Sequence, residues 1–198
     1  MYSILRPCGE SDSGTILGVD DSIHDFYHFH ERKSVKEIFK TPVELYFDDT
    51  YPDRVKEYDF LNNAVGLIIV SSVVKELWKS LGIFGVEYIE TNVFDQRKKT
   101  VKNQYFIINI LEERPLIDYA NSNIRMSYID KTQISKIKKL QVDFLAMRNN
   151  NALIFRAKGD NRFYYVNNTL LNIMKEAGIT GLKAIEADGW NGRLLTLD

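Results

Sequence analysis

Three histidines crowd into the stretch from Ile23 to Arg32, at His24, His28 and His30, with carboxylates beside them at Asp25 and Glu31. Imidazole and carboxylate are common ligands for zinc and related ions, so this is the first place to look for metal chemistry. The spacing argues against it. His24 and His28 would share a helical face, but His30 would then point elsewhere, and neither HExxH nor paired Cys/His spacing is present. A solvated, aromatic-rich surface segment or a partner contact explains the same residues. Pro52-Asp53 is half of the metal site of some nucleases, but the acid-x-Lys that would complete it is absent after Asp53. No metal and no cofactor are expected.

Other chemistry is equally thin. The chain has no GxSxG elbow, no GxxxxGK phosphate loop and no GxGxxG after a strand, and nothing around Cys8, its one cysteine, favours a nucleophile. Glu90 and Glu186 could form a carboxylate pair for acid-base work, but their equivalent places in a repeat argue for a duplicated structural role. Catalytic residues are therefore not assigned. Trp190, between Gly189 and Gly192, is either a flap over a core edge or an interface anchor, a role that suits tryptophan.

The elements that would position these groups are clearest from residue 64 onward. Ala64 to Val70 is an apolar run of strand length, and Ser71 and Ser72 follow as candidate helix caps. Val73, Val74, Leu77, Trp78 and Leu81 then recur at spacings of three and four, one face of a helix. Gly82 should end it, because a residue without Cβ takes positive φ cheaply. Val86 to Glu90 reads as the next strand, with Glu87 and Ile89 on the face opposite Val86, Tyr88 and Glu90.

The same order returns 96 positions later: Phe163 to Val166 as strand, Asn167 and Asn168 as caps, Leu170, Ile173, Met174 and Ala177 as stripe, Gly178 as stop, Leu182 to Glu186 as strand. Val70–Glu90 and Val166–Glu186 agree at seven of 21 positions, where average residue usage gives roughly one or two by chance. The matches include Gly82, Gly85, Gly178 and Gly181, so the glycines read as scaffold. One strand-helix-strand unit is used twice, about 64–90 and 162–186. Gln104 to Leu111, Lys136 to Leu140 and Ala152 to Ala157 are further strands, with a hairpin turn at Lys158-Gly159-Asp160-Asn161. Tyr2 to Arg6 and Val43 to Phe47 add short strands, and Ser34 to Lys40 a short helix. The predicted fold class is α+β, with more strand than helix. It comprises an irregular segment 1–60 and a duplicated core 61–198, or one continuous domain 1–198.

Composition narrows the function. The 198 residues are 44% hydrophobic and 12% aromatic, enough for a core, and 26 Lys plus Arg nearly balance 27 Asp plus Glu. A chain so close to neutral exerts no global field on nucleic acid or an anionic membrane, so any partner is recognised locally. The run Lys131, Lys136, Lys138, Lys139 reads as a solvated face. A lone cysteine, no apolar leader and no span longer than Ala64 to Val70 fit a cytoplasmic protein with no membrane association.

The order IVSS, LWKSLGIFGVEYIE, QYFIINILE, then ISKIKKLQV at 134–142 and LIFRAKGDNRFYYVNNTLLNIMKEAGITGLKAIEADGW at 153–190 resembles immunity protein family eleven of bacterial polymorphic toxin systems, formerly a domain of unknown function. The resemblance covers about Ala64 to Trp190. It implies a non-enzymatic cytoplasmic protein that binds and neutralises a cognate toxin encoded nearby, with no catalytic residues to carry over. For the partner surface the first candidates are Asp20, Asp21, Asp48, Asp49 and Asp53, which would complement a basic toxin, together with Trp190. The alternative is an uncharacterised small-molecule- or metal-binding protein or enzyme using the His24 to Glu31 segment. Oligomeric state and strand order are open.

Overall fold

The computed structural model describes residues 1–19 and 26–193. With 38% strand and 12% helix it is a mostly-sheet α+β fold. Chain order is β1 (Tyr2–Pro7), β2 (Thr15–Val19), a short 3-10 helix (Phe26–His30), β3 (Val43–Phe47), β4 (Asn62–Asn63), β5 (Ile68–Ser71), α1 (Ser72–Ser80), β6 (Val86–Phe94), β7 (Tyr105–Ile110), β8 (Glu113–Arg114), β9 (Asn123–Met126), β10 (Ile134–Lys139), β11 (Ile154–Ala157), β12 (Asp160–Asn167), α2 (Asn168–Glu176) and β13 (Leu182–Glu186). They gather into two compact units, one of Met1–Leu5, Glu112–Leu171 and Ala184–Asp198, the other of Arg6–Leu111 and Asn172–Lys183.

The second of these is built on a six-stranded sheet in the order β4-β2-β3-β6-β7-β5. Its ends are joined by the chain itself. Phe60 bridges Val70 beside β5, and Leu61 donates its N–H to Ile69 O at 3.0 Å, while the next two residues are β4 at the other end. An exposed sheet edge invites pairing with other chains, and this closure removes it. One face carries Ile16, Leu45, Leu61, Ile69, Ile89, Val93 and Ile107, sealed by Phe29 and Val35 from the segment around the 3-10 helix. α1 packs against β5 and β7, with Trp78 fully buried beside Phe60. All six residues of β7 are buried.

The other unit has a five-stranded sheet in the order β13-β1-β12-β11-β8 and a two-stranded ribbon of β9 and β10. Ile4, Phe155, Ala157 and Tyr165 from the sheet meet Ile134 and Ile137 of the ribbon, along with Leu116, Leu140, Met147 and Trp190.

Both copies of the repeat end their helices in the same way. Ser71 Oγ accepts from Val74 N at 3.5 Å, and Asn167 Oδ1 accepts from Leu170 N at 2.9 Å, so the first of each candidate pair is the cap. At the other end Gly82 N–H bonds Lys79 O at 3.0 Å and Ile83 N–H bonds Trp78 O at 3.1 Å. Gly178 and Ile179 do the same to Lys175 and Met174, both at 3.0 Å. This is a Schellman turn, which needs one residue in the left-handed region followed by a hydrophobe facing back onto the helix. Gly-Ile supplies both. The second glycine of each motif reverses the chain into the strand, and Gly82, Gly85, Gly178 and Gly181 have φ of 64°, 69°, 71° and 78°. In each copy the two strands around the helix are separated in their sheet by one other strand, β7 in the first and β1 in the second.

Three local expectations fail. Ser34 to Lys40 is a single turn closed by Val35 O rather than a helix, because Val35 is drawn into the core and breaks the run. Ala64 to Gly66 bends, with Gly66 at φ 73°, so the strand begins only at Ile68. Val73 and Ala177, assigned to the apolar stripes, face solvent, since Val74 with Trp78 and Leu170 with Met174 already define the buried faces.

The four glycines are not equally replaceable. A Cβ on Gly178 would meet nothing within 4 Å, whereas one on Gly181 would lie 2.4 Å from Phe60 O and 2.7 Å from Tyr58 Cβ. Gly178→Ala should cost about 1–2 kcal/mol, the price of a left-handed alanine. Gly181→Ala should cost clearly more in urea unfolding, because backbone must also shift; equal losses would mean that this approach relaxes freely.

Candidate functional site

The sequence candidates scatter over several settings. Asp20 and Asp21 lie outside the described residues, as do His24 and Asp25. Asp48, Asp49 and Asp53 sit in the loop after β3. Asp49 and Asp53 are exposed, and Asp48 Oδ1 accepts from Thr50 N at 2.9 Å. The loop is held in shape by Gln96, whose Nε2 donates to Tyr51 O at 3.1 Å and Arg54 O at 2.8 Å. Tyr51 and Val55 stand exposed beside the carboxylates, and the Arg54 guanidinium lies 3.9 Å from the centre of the Tyr51 ring. A fixed loop of carboxylates around an aromatic ring can dock onto a basic surface, and it loses little conformational freedom in doing so.

His28 Nδ1 lies 2.9 Å from Glu31 Oε2, and its ring centre lies 4.0 Å from that of Tyr27, the two planes tilted by 36°. Among the described residues no group of three or more His, Cys, Asp or Glu side chains is arranged to hold a metal ion. Trp190 is 7% exposed; it donates Nε1–H to Arg193 O at 2.8 Å and meets Phe163 edge-on at 5.1 Å. Its ring belongs to the core. Glu90 and Glu186 are both exposed.

Two buried carboxylates were invisible in the sequence pattern. Glu87, a neighbour of Glu90 in β6, is 5% exposed and pairs across the sheet with Asn109 of β7. It accepts from Asn109 Nδ2 at 2.9 Å, Ser34 Oγ at 2.5 Å and Val35 N at 3.0 Å, and Asn109 also donates to Lys33 O at 2.8 Å. In the other unit Asp160 is fully buried, accepting from Tyr165 OH at 2.9 Å and Arg162 Nε at 2.8 Å. Burial, then the charge of Asp160, pushes the Tyr165 phenol well above its ordinary value, so it stays a neutral donor. Fully buried Arg156 donates to Asn161 O at 3.1 Å and Tyr164 OH at 3.0 Å. These carboxylates face donors within the fold: Glu87 holds the Ser34-Val35 segment onto its sheet, and Asp160 is satisfied by residues of its own strand, β12.

Glu87 makes that role measurable. Burial alone would raise its pKa, but the bonds from Ser34, Val35 and Asn109 outweigh burial, and the net shift is downward. A depressed folded pKa contributes stability that is complete above the unfolded value, about 4.3, and is lost as pH falls through the folded one. Glu87→Ala should cost about 1–3 kcal/mol at pH 7, by leaving buried donors unpaired. Glu87→Gln should be destabilised at pH 7 but converge on the parent as pH drops toward 3; parallel urea curves at the two pH values would contradict the assignment.

No helix among the described residues is long and apolar enough to cross a membrane. No curated protein matches the chain closely. The model of the immunity protein family Imm11 matches residues 16–188, a span that includes the six-stranded sheet, both capped helices, the ribbon and both Gly-Ile-x-Gly corners. With that share of its length matched, the chain belongs to the Imm11 immunity protein family.

Proposed function

We propose that this protein protects the cell that makes it by binding a cognate toxin in the cytoplasm and blocking it sterically, with no catalytic step of its own. The family match over residues 16–188 is the observation that carries the reading. A toxin that works on nucleic acid needs cations where it contacts phosphate. Exposed Asp49 and Asp53, fixed by the Gln96 clamp and flanked by Tyr51, suit such a face: the carboxylates steer encounter and the ring supplies contact area. Asp48, already engaged with Thr50, contributes to the local field.

The test is rescue. Co-expression with the toxin gene beside its own should restore growth of toxin-poisoned cells, and the purified pair should co-elute; a neighbouring gene whose product is harmless would count against the reading. Asp49→Lys with Asp53→Lys should slow association with that toxin by about tenfold at low salt and less at high salt, since exposed charges act on encounter and are screened. The melting temperature should stay at the parent value. An unchanged association rate would remove the acidic loop from the interface.

A further inference from the structure

The most exposed apolar side chains among the described residues are adjacent. Tyr128 is 84% exposed and Ile129 is 99% exposed, at the tip of the β9–β10 ribbon. Apolar groups are so placed in spite of water, and the turn that carries them is well built. Ser127 N donates to Gln133 O at 2.7 Å across its base, and Ser127 Oγ accepts from Ile129 N at 3.2 Å and Asp130 N at 3.3 Å. Asp130 Oδ1 accepts from Thr132 N at 2.9 Å. The pair is therefore held out rather than left loose, which lowers the entropy cost of burying it against something else.

Behind the tip the ribbon is basic. Between Asn123 and Lys139 stand Arg125, Lys131, Lys136, Lys138 and Lys139 against the one carboxylate of Asp130. An ordinary strand would turn every second residue outward. β10 instead has register shifts between Ile134 and Lys136 and between Ile137 and Lys139, so Ile134 and Ile137 stay in the core while Ser135, Lys136, Lys138 and Lys139 all face solvent. Bulges of this kind re-aim side chains. Lys136 lies directly across from Arg125, a like-charge pair that weakens a sheet. No carboxylate among the described residues forms an ion pair with any of these five cations.

We infer that the ribbon is a second docking element, whose Tyr128-Ile129 tip enters an apolar pocket on an acidic protein surface while Lys136, Lys138 and Lys139 meet the carboxylates around it. This rests on the toxin-binding reading and names the surface that the toxin presents to the ribbon. A protein pocket is favoured over nucleic acid because Ile129 offers a branched aliphatic surface, which cannot stack on a base as an aromatic ring does. Tyrosine beside an aliphatic residue, rimmed by cations, has the make-up of an interface centre with its polar rim.

The experiment measures affinity of the full chain for the toxin identified by rescue, for the parent, Tyr128→Ser with Ile129→Ser, and Lys136→Glu with Lys138→Glu, with melting temperatures as a control for folding. The first pair should weaken binding at least tenfold at all salt concentrations. The second should weaken it most at low salt, and Lys136→Arg with Lys138→Arg should restore it. Parent-like affinity in both variants overturns the ribbon proposal alone; a parent protein that binds no toxin overturns it together with the proposed function. A labelled DNA or RNA duplex bound tighter than about 1 μM at physiological salt, and released by Lys136→Glu with Lys138→Glu, would assign the ribbon to nucleic acid and overturn the protein pocket. Should the apolar variant lose its fold, Ile129→Ser alone, fully exposed at the tip, carries the same expectation.

Discussion

The burial of β7 along its whole length is the constraint from which much of its unit follows. A strand enclosed on both faces has no water for its polar side chains, so each must find a partner inside the protein. β7 has two. Asn109 finds Glu87 on the neighbouring strand, and that carboxylate, once buried, needs further donors; Ser34 Oγ and Val35 N provide them, while Lys33 O takes the other amide proton of Asn109. Tyr105 donates to Tyr58 O at 2.9 Å, next to the segment that closes the sheet. Two polar groups on one strand thus fix two long loops, and Val35 is carried into the core by its neighbour's hydrogen bond.

The doubled corner solves a different problem with the same economy. A helix of nine residues ends with unsatisfied carbonyls and must hand the chain to a strand at once. Glycine at the left-handed position satisfies the carbonyls, isoleucine after it packs back on the helix, and the second glycine completes the reversal. The two copies then diverge in what surrounds them. Thr180, the variable position of the second corner, is gripped by Asp59, which accepts from its N–H at 3.0 Å and its hydroxyl at 2.8 Å while also taking Ser71 Oγ at 2.7 Å. Phe84, its counterpart in the first corner, stands 58% exposed. The same backbone device is an internal tie in one place and a surface feature in the other.

How legible the molecule was depends on the range of the forces involved. The two helices of the repeat, their caps and stops, and the hairpin at Gly159 came through because propensity, capping and φ are decided within a few residues, whereas the helix expected at Ser34 to Lys40 did not form. The α+β class followed from them. Exposure of single side chains came through less well. Trp190 reads as a flap over a core edge or as an anchor until the sheet and ribbon that enclose it are in place, and the solvated lysines of β10, legible as such, owe their direction to two bulges that the alternation does not show. The loop proposed as a docking surface was the least legible of all, since a charged loop looks the same in sequence whether it is clamped, as Gln96 clamps the loop after β3, or free.

Sequence by itself determined where this chain turns: at Gly82, Gly85, Gly178 and Gly181, because their lack of a Cβ is a local property that no distant contact need supply. It also determined family membership, which rests on the order of those turns and strands. Tertiary structure alone decided which carboxylate is buried. Glu87 and Glu90 stand three residues apart in one strand, yet one is an internal hydrogen-bond hub and the other is solvated. The difference lies in what faces them: Asn109 and the Ser34-Val35 segment reach Glu87 from positions far along the chain, and no pattern in the sequence around it records their arrival.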